Sequence, residues 1–215
     1  WVEVSGTLPF HSFSAFVLNW KTLTVLITSF KEEADFESRF SSLRGLADYY
    51  APSRNRDLPQ SMKRYYGRKG PLYFKNASAG LFTGKNEFRD IKTDLFEKVR
   101  SRNGIVFQIN TLGGHIGDKH LEAGSSYPHR RFPYLGELQS YWEHSAEEEK
   151  SVAVFEDIQQ LLKGAGIRAH YRNYPDVDFE DWENAYYGSS YSRLQAIKRK
   201  YDPEDLFHHP QSVRI

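Results

Sequence analysis

The chain has 215 residues, enough for one large domain or for one domain with an appendage. Its 29 Lys and Arg residues balance 28 Asp and Glu, so a net charge of +1 gives no general field for attracting nucleic acid or an anionic membrane. No apolar run approaches the length of a membrane span, and the absence of Cys excludes disulfides, thiolate nucleophiles and zinc–thiolate or iron–sulfur sites. Because the chain opens at Trp1 without an initiator Met, we expect a piece of a larger, water-soluble protein.

The first third of the chain combines strand and helix patterns. Residues 1–30 alternate apolar and polar positions, which predicts two or three strands. Ser29 and Glu32 form a capping box, and apolar residues at helical spacing follow, which predicts an amphipathic helix through residue 47. Residues 51–72 contain Pro, Gly and charges typical of a loop, and a strand is predicted at 72–81.

The middle of the chain alternates between the same two kinds of element. An apolar stripe predicts a helix at 86–100, and strands are predicted at 105–110 and 138–142. A second capping box, Ser145 to Glu148, predicts the start of a helix that ends near residue 164. This order favours an α+β fold, in which helices cover one face of a large antiparallel sheet.

The last fifty residues differ from the rest in composition. A short strand is predicted at 167–171, followed by an acidic, aromatic stretch and a helix that ends at Asp202-Pro203. This region has few apolar positions for a core of its own. We therefore predict a substrate-binding α+β domain at 1–165 and a C-terminal segment at 166–215 that packs on another part of the protein or on another chain.

Sequence motifs exclude several chemistries and leave others weak. Neither a Gly-rich phosphate loop nor a G-x-S-x-G nucleophile elbow occurs, so this chain is not expected to hold a nucleotide cofactor alone or to act as a serine hydrolase. The histidines lack a zinc spacing and are interpreted as surface or structural residues. Residues 62–75 interleave bases and aromatics, and a solvated loop is favoured there over a nucleic-acid surface.

Two short stretches could carry chemistry. Gln108 and Asn110 share one face of a predicted strand, where they either line a pocket or form an ordinary half-solvated surface. Tyr174 follows the predicted tail strand. A tyrosine acts as a base near neutral pH only where a cation or hydrogen-bond donors stabilise its phenolate, because its ordinary pKa is near 10.

The second half of the chain contains an ordered series of motifs that resembles the berberine-bridge-enzyme-like FAD-linked oxidases of the vanillyl-alcohol-oxidase superfamily. The series begins with the stretch from Gln108 to Gly114 and with Tyr127-Pro128-His129-Arg130. It continues through Tyr171-Arg172-Asn173-Tyr174-Pro175-Asp176-Val177-Asp178, Trp182, Tyr186-Tyr187-Gly188, Arg193-Leu194, Lys198, Tyr201-Asp202-Pro203, Phe207 and Gln211-Ser212-Val213.

The resemblance implies a flavoprotein with two domains, of which this chain corresponds to the substrate domain and the C-terminal return to the flavin domain. The family's flavin-domain motifs, including the His and Cys that often attach FAD, do not occur here. We therefore expect the FAD to be held mainly by a separate flavin-binding fragment or subunit, in a heterodimer with this chain. The other expected partner is a small-molecule substrate, with no role for nucleic acid or a membrane.

Roles can be carried over only to matching positions. Tyr174 matches the family's catalytic tyrosine, which removes a hydroxyl proton while a hydride passes to the flavin. Tyr171 and Asn173 match flavin-contacting positions, and Gln108 and Asn110 match substrate-binding positions above the flavin. The sugar-oxidising branch has an acid at the position of Asn110, and an amide can neither accept a proton nor hold negative charge. Either the activation of Tyr174 then comes from elsewhere, or the substrate is more acidic than a sugar hydroxyl.

The resulting prediction is the substrate-binding chain of an FAD-dependent oxidase that acts on a hydroxyl-bearing carbon of a sugar or secondary metabolite, with O2 as acceptor. The alternative is a non-catalytic, carbohydrate-binding or allergen-like relative, which the neutral Asn110 favours. Asn76-Ala77-Ser78 is a glycosylation sequon, so we also expect a glycan at Asn76 and a secreted protein.

Overall fold

A computed structural model describes residues 1–32, 35–52, 54–57, 59–60 and 72–215. The basic and aromatic stretch at 62–75 lies largely outside these residues. Five strands form one antiparallel sheet in the order β2-β1-β4-β5-β3. They are β1 (Ser12–Asn19), β2 (Thr22–Ser29), β3 (Tyr73–Phe82), β4 (Ile105–Thr111) and β5 (Tyr134–Trp142). The predicted α+β class is confirmed.

Six helices are described, and the two that pack on the sheet were both predicted. They are α1 (Val2–Ser5), α2 (Ser41–Arg44), α3 (Lys92–Ser101), α4 (Glu148–Gly164), α5 (Trp182–Tyr187) and α6 (Tyr191–Tyr201). The prediction at the start of α4 was one residue off, since a 3-10 turn (Ser145–Glu147) precedes the helix. The capping carboxylate belongs to Glu147, which accepts from the backbone N–H of His144 at 3.3 Å.

One face of the sheet, which we call the helix face, carries the main core. Phe155 and Ile158 of α4 and Leu95 of α3 pack there against side chains of the sheet such as Phe107 and Leu138. Strand alternation explains this arrangement, because Ile105, Phe107 and Ile109 point to the helices while the residues between them point away. Burial of these side chains is the main stabilising contribution to the fold.

The predicted helix through residue 47 is wrong. Between β2 and residue 47, the helical elements of the described residues are a 3-10 turn (Glu37–Phe40) and the single turn of α2. Phe36 and Phe40 pack against each other with ring centroids 4.9 Å apart, and Leu46 is 84% exposed. A short amphipathic helix is marginal in water unless its apolar face is buried, and the described core offers this stripe no such partner.

Residues 1–30 contain two strands, within the predicted two or three, and the N-terminal residues form α1. The predicted tail strand differs from expectation. Residues 167–171 run along β3 without regular strand pairing: the Leu81 N–H donates to Ala169 O at 2.9 Å, and the Tyr171 N–H donates to Ser78 Oγ at 3.0 Å.

A β-bulge in β3 explains the irregular pairing of the tail. The register against β5 shifts between Ser78 and Gly80. Gly80 has a φ of 109°, and a Cβ at this position would lie 2.1 Å from Ile167 Cγ2. A glycine is therefore required where the tail crosses the strand.

Candidate active site

The opposite side of the sheet, which we call the polar face, is defined by Asn76, Gln108, Asn110 and Glu137. Gln108 is the register partner of Glu137 across β4 and β5. The Gln108 amide donates from Nε2 to Asn110 Oδ1 at 2.8 Å, and the Asn76 amide donates from Nδ2 to Glu137 Oε1 at 2.7 Å. Four side chains from three strands thus meet on one surface.

The tail brings Tyr174 to this surface by wrapping around the edge of β3. The Ser78 N–H donates to Tyr174 O at 2.8 Å, which fixes the backbone at the tyrosine. Pro175 restricts Tyr174 to extended conformations and turns the chain toward the helix face. There Asp176 lies 3.3 Å from Lys75 Nζ and accepts from Gln159 Nε2 of α4 at 3.3 Å.

Tyr174 and Glu137 form the most distinctive pair of the polar face. The Tyr174 side chain faces the Glu137 carboxylate, which interacts with its hydroxyl. Burial first, and then the negative charge of Glu137, raises the pKa of Tyr174 to about 12. The hydroxyl is therefore protonated at neutral pH, and the adjacent carboxylate is positioned to receive its proton.

Glu137 is the functional residue that sequence reasoning missed. It is only 6% exposed, it accepts a hydrogen bond from Asn76 of β3, and it lies beside Tyr174 of the tail. The sequence did contain a signal, since Leu135, Glu137 and Gln139 alternate with apolar or small residues in β5. Our predicted strand began at residue 138, four residues after its start at Tyr134, and so left Glu137 outside the strand.

Tyr171 and Asn173 lie beside this pair, and their contact with a flavin stays a prediction. The rings of Tyr171 and Tyr174 meet edge to face with centroids 5.3 Å apart. Both rings pack on Leu81 and Leu135. The exposed Asn173 donates from Nδ2 to the Tyr171 hydroxyl at 2.9 Å. Every residue predicted for the site therefore gathers on or beside the polar face.

Partly buried aromatic side chains surround this pair. Tyr127 meets the Tyr171 ring edge to face, and burial raises the pKa of Tyr127 to about 12. His129 of the same loop is buried and bonds through Nε2 to Tyr186 O at 3.1 Å. Burial lowers the pKa of His129, so this imidazole serves as a neutral structural link to α5.

The described residues fit contacts to a flavin ring better than contacts to its phosphates. Asn173 keeps one amide N–H and a carbonyl oxygen beyond its bond to Tyr171, and a flavin ring offers matching acceptors and donors. In the described part of the chain, no three or more His, Asp or Glu side chains cluster in a way that could hold a metal ion. No described helix is long and apolar enough to cross a membrane.

Comparison with known proteins confirms the family resemblance. Residues 170–214 match the family model described as berberine and berberine like. The FAD-linked oxidoreductase YgaK of Bacillus subtilis is 29% identical over 155 residues, 72% of this chain and 31% of its own length. The carbohydrate oxidase of Microdochium nivale is 28% identical over 165 residues, 73% of this chain and 32% of its own length.

Solved structures show the same fold. Wild-type BBE-like 1 of Physcomitrella patens superposes with a TM-score of 0.80 at 19% identity, over 98% of this chain and 49% of its own. A chitooligosaccharide oxidase gives a TM-score of 0.81 at 19% identity, over 99% of this chain and 50% of its own. The chain has an α+β fold shared with berberine-bridge-enzyme-like proteins, and it is similar in sequence to FAD-linked oxidoreductases. It spans about half the length of these structures.

Proposed function

We propose that this chain is the substrate-binding part of an FAD-dependent oxidase that oxidises a hydroxyl-bearing carbon to a carbonyl. The observation that carries the proposal is the placement of Tyr174 beside the buried Glu137 carboxylate on the polar face. Oxidation of an alcohol removes a hydride and a proton. A bound FAD would accept the hydride, with O2 as the final acceptor.

The residues of this chain handle the proton. Because the pKa of Tyr174 is raised rather than lowered, its phenolate is not the resting base at neutral pH. Tyr174 instead relays the proton: its oxygen accepts the substrate hydroxyl proton as its own proton moves to Glu137. Glu137 therefore supplies the activation that the neutral Asn110 cannot, which removes the main argument for a non-catalytic relative.

Gln108 and Asn110 are proposed to orient the substrate. Their amides are bonded to each other beside Glu137, so they present a fixed set of donors and acceptors to a polyhydroxyl ligand. Relatives named carbohydrate oxidase and chitooligosaccharide oxidase support a carbohydrate as the first substrate class to screen. We propose that Tyr171 and Asn173 contact the flavin ring, and that its phosphates are bound by a flavin-binding part in the same longer protein or in a partner chain. Secretion stays a prediction.

The test is anaerobic reduction of the bound flavin by a panel of sugars and oligosaccharides, followed in the visible spectrum. Tyr174→Phe is expected to keep the flavin bands and to slow reduction by about 100-fold or more, because the relay is lost. Tyr127→Phe, a buried tyrosine of the neighbouring shell, is the control and should reduce at close to the parent rate. A parent protein whose bound flavin no substrate reduces would support the non-catalytic alternative, and unchanged reduction in Tyr174→Phe would contradict the relay.

A further inference from the structure

Asn76 occupies an unusual place for a glycosylation sequon. It lies within β3, opposite Gln139 of β5, and its side chain is half-buried on the polar face. Its Nδ2 atom, to which a glycan would be attached, already donates to Glu137 Oε1 at 2.7 Å. Sequons that carry glycans are expected in surface loops.

The environment of Glu137 shows what this bond contributes. A buried carboxylate is costly unless hydrogen-bond donors replace its water. The polar neighbours that face Glu137 are Asn76 from β3, Gln108 from β4, Tyr141 from its own strand and Tyr174 from the tail. All four are uncharged at neutral pH, so amide and hydroxyl donors replace a cation at this site.

Asn76 and Tyr174, the two neutral side chains beside Glu137, have different consequences for the proposed relay. The Tyr174 hydroxyl is the group whose proton Glu137 would accept, so it cannot also keep the carboxylate in place throughout the transfer. Asn76 donates an amide proton that does not titrate, and its backbone is held in the β3–β5 ladder. It can therefore hold one carboxylate oxygen while the carboxylate accepts a proton from Tyr174.

We propose that Asn76 is a positioning residue that keeps the Glu137 carboxyl oriented toward Tyr174, and that its sequon therefore carries no glycan in the functional protein. The positioning role of Asn76 rests on the proposed function. The hydrogen bond from Asn76 to Glu137 is independent of it. A glycan on Nδ2 would stand on the polar face, in the space proposed for substrate.

The first test follows the Glu137 carboxyl by NMR in the complete flavoprotein labelled with carboxyl-13C glutamate, with Glu137→Gln to assign the signal. In Asn76→Ala the titration should move to higher pH by about one unit, because a donor to the charged form is lost. Asn76→Asp, which keeps the side-chain shape, should move it further through like-charge repulsion. Gln139→Ala removes an amide from the same face and should leave the titration in place.

The second test measures the pH dependence of flavin reduction in the same proteins. In both Asn76 variants, the acidic limb of this pH profile should move to higher pH together with the carboxyl titration. In Gln139→Ala it should stay unchanged. Peptide mass spectrometry on protein made in a glycosylating host should find Asn76 unmodified.

These measurements separate the two proposals. An unshifted Glu137 titration in both Asn76 variants, or a glycan on Asn76 in protein that reduces its flavin normally, would overturn the inference. Absence of flavin reduction with every substrate would count against the proposed function alone, since the NMR titration still decides the role of Asn76.

Discussion

The helix face and the polar face of the sheet share the same five strands and differ in the chemistry of alternate residues. On β4, Phe107 and Ile109 point to the helices, whereas Gln108 and Asn110 point to the other side. The helix face removes large apolar side chains from water, and the polar face holds amides, a tyrosine and a carboxylate in a bonded array. We infer that the first face mainly stabilises the fold and that the second mainly serves binding and catalysis.

The largest expected effect on stability comes from the helix face. Phe155 is fully buried in the main core, so Phe155→Ala is expected to lower the free energy of unfolding by about 3–5 kcal/mol. Phe96 of α3 is 38% exposed, and Phe96→Ala is the matched control with an expected loss under about 2 kcal/mol. Chemical denaturation of the complete protein measures both. Equal losses in the two variants would contradict the inference that the buried side chains of the helix face are the main source of stability.

Acid should weaken the attachment of the tail to β3. His170 Nδ1 bonds to Ser78 O at 3.0 Å, and burial lowers the pKa of His170 from 6.5 to about 4. The unfolded chain then binds a proton that the folded chain excludes, so stability is full above about pH 6.5 and falls toward pH 4. The expected loss from this histidine is about 3 kcal/mol, at about 1.4 kcal/mol for each pKa unit.

His170→Gln tests this pH dependence, because its amide can still donate and does not titrate. Denaturation at several pH values should give a shallower loss of stability below pH 6.5, with a remaining slope from His129, whose pKa is also lowered. An exposed histidine, as in His208→Gln, serves as the control. If the variant loses as much stability in acid as the parent does, protonation of His170 is not the cause of that loss.

The smallest expected effect on stability lies on the polar face. Gln108 is half-buried and bonds to Asn110, so Gln108→Ala should change the free energy of unfolding by about 1 kcal/mol or less. The same change should weaken substrate binding about tenfold, seen as a raised KM with kcat little changed. A loss of stability as large as that of Phe155→Ala would mean that the polar face is a second core.

Much of the fold could be predicted from local sequence patterns. The apolar stripes of α3 and α4 and the alternation in β4 each specify an element and the face it buries, because periodicity reports burial directly. The apolar stripe through residue 47 has the same spacing, but no described surface covers it. The tail at 167–171 follows β3 through a bulge that Gly80 permits. Both depend on tertiary contacts that local pattern does not contain.

The site was predicted in part for a related reason. The family motifs located Tyr174, Tyr171 and Asn173, and alternation paired Gln108 with Asn110. Glu137 was missed because strand pairing, rather than proximity in sequence, brings it beside Gln108 and Tyr174. The partner of Asn76 was hidden for the same reason, since 61 residues separate it from Glu137.

The most direct test of the account is single-turnover flavin reduction in Glu137→Gln, which keeps the side-chain shape and removes the proton acceptor. We expect the flavin bands and thermal stability of the parent, with reduction by substrate slowed about 100-fold or more. Reduction at the parent rate, with the variant folded and flavin bound, would contradict the central claim that Glu137 receives the proton through Tyr174.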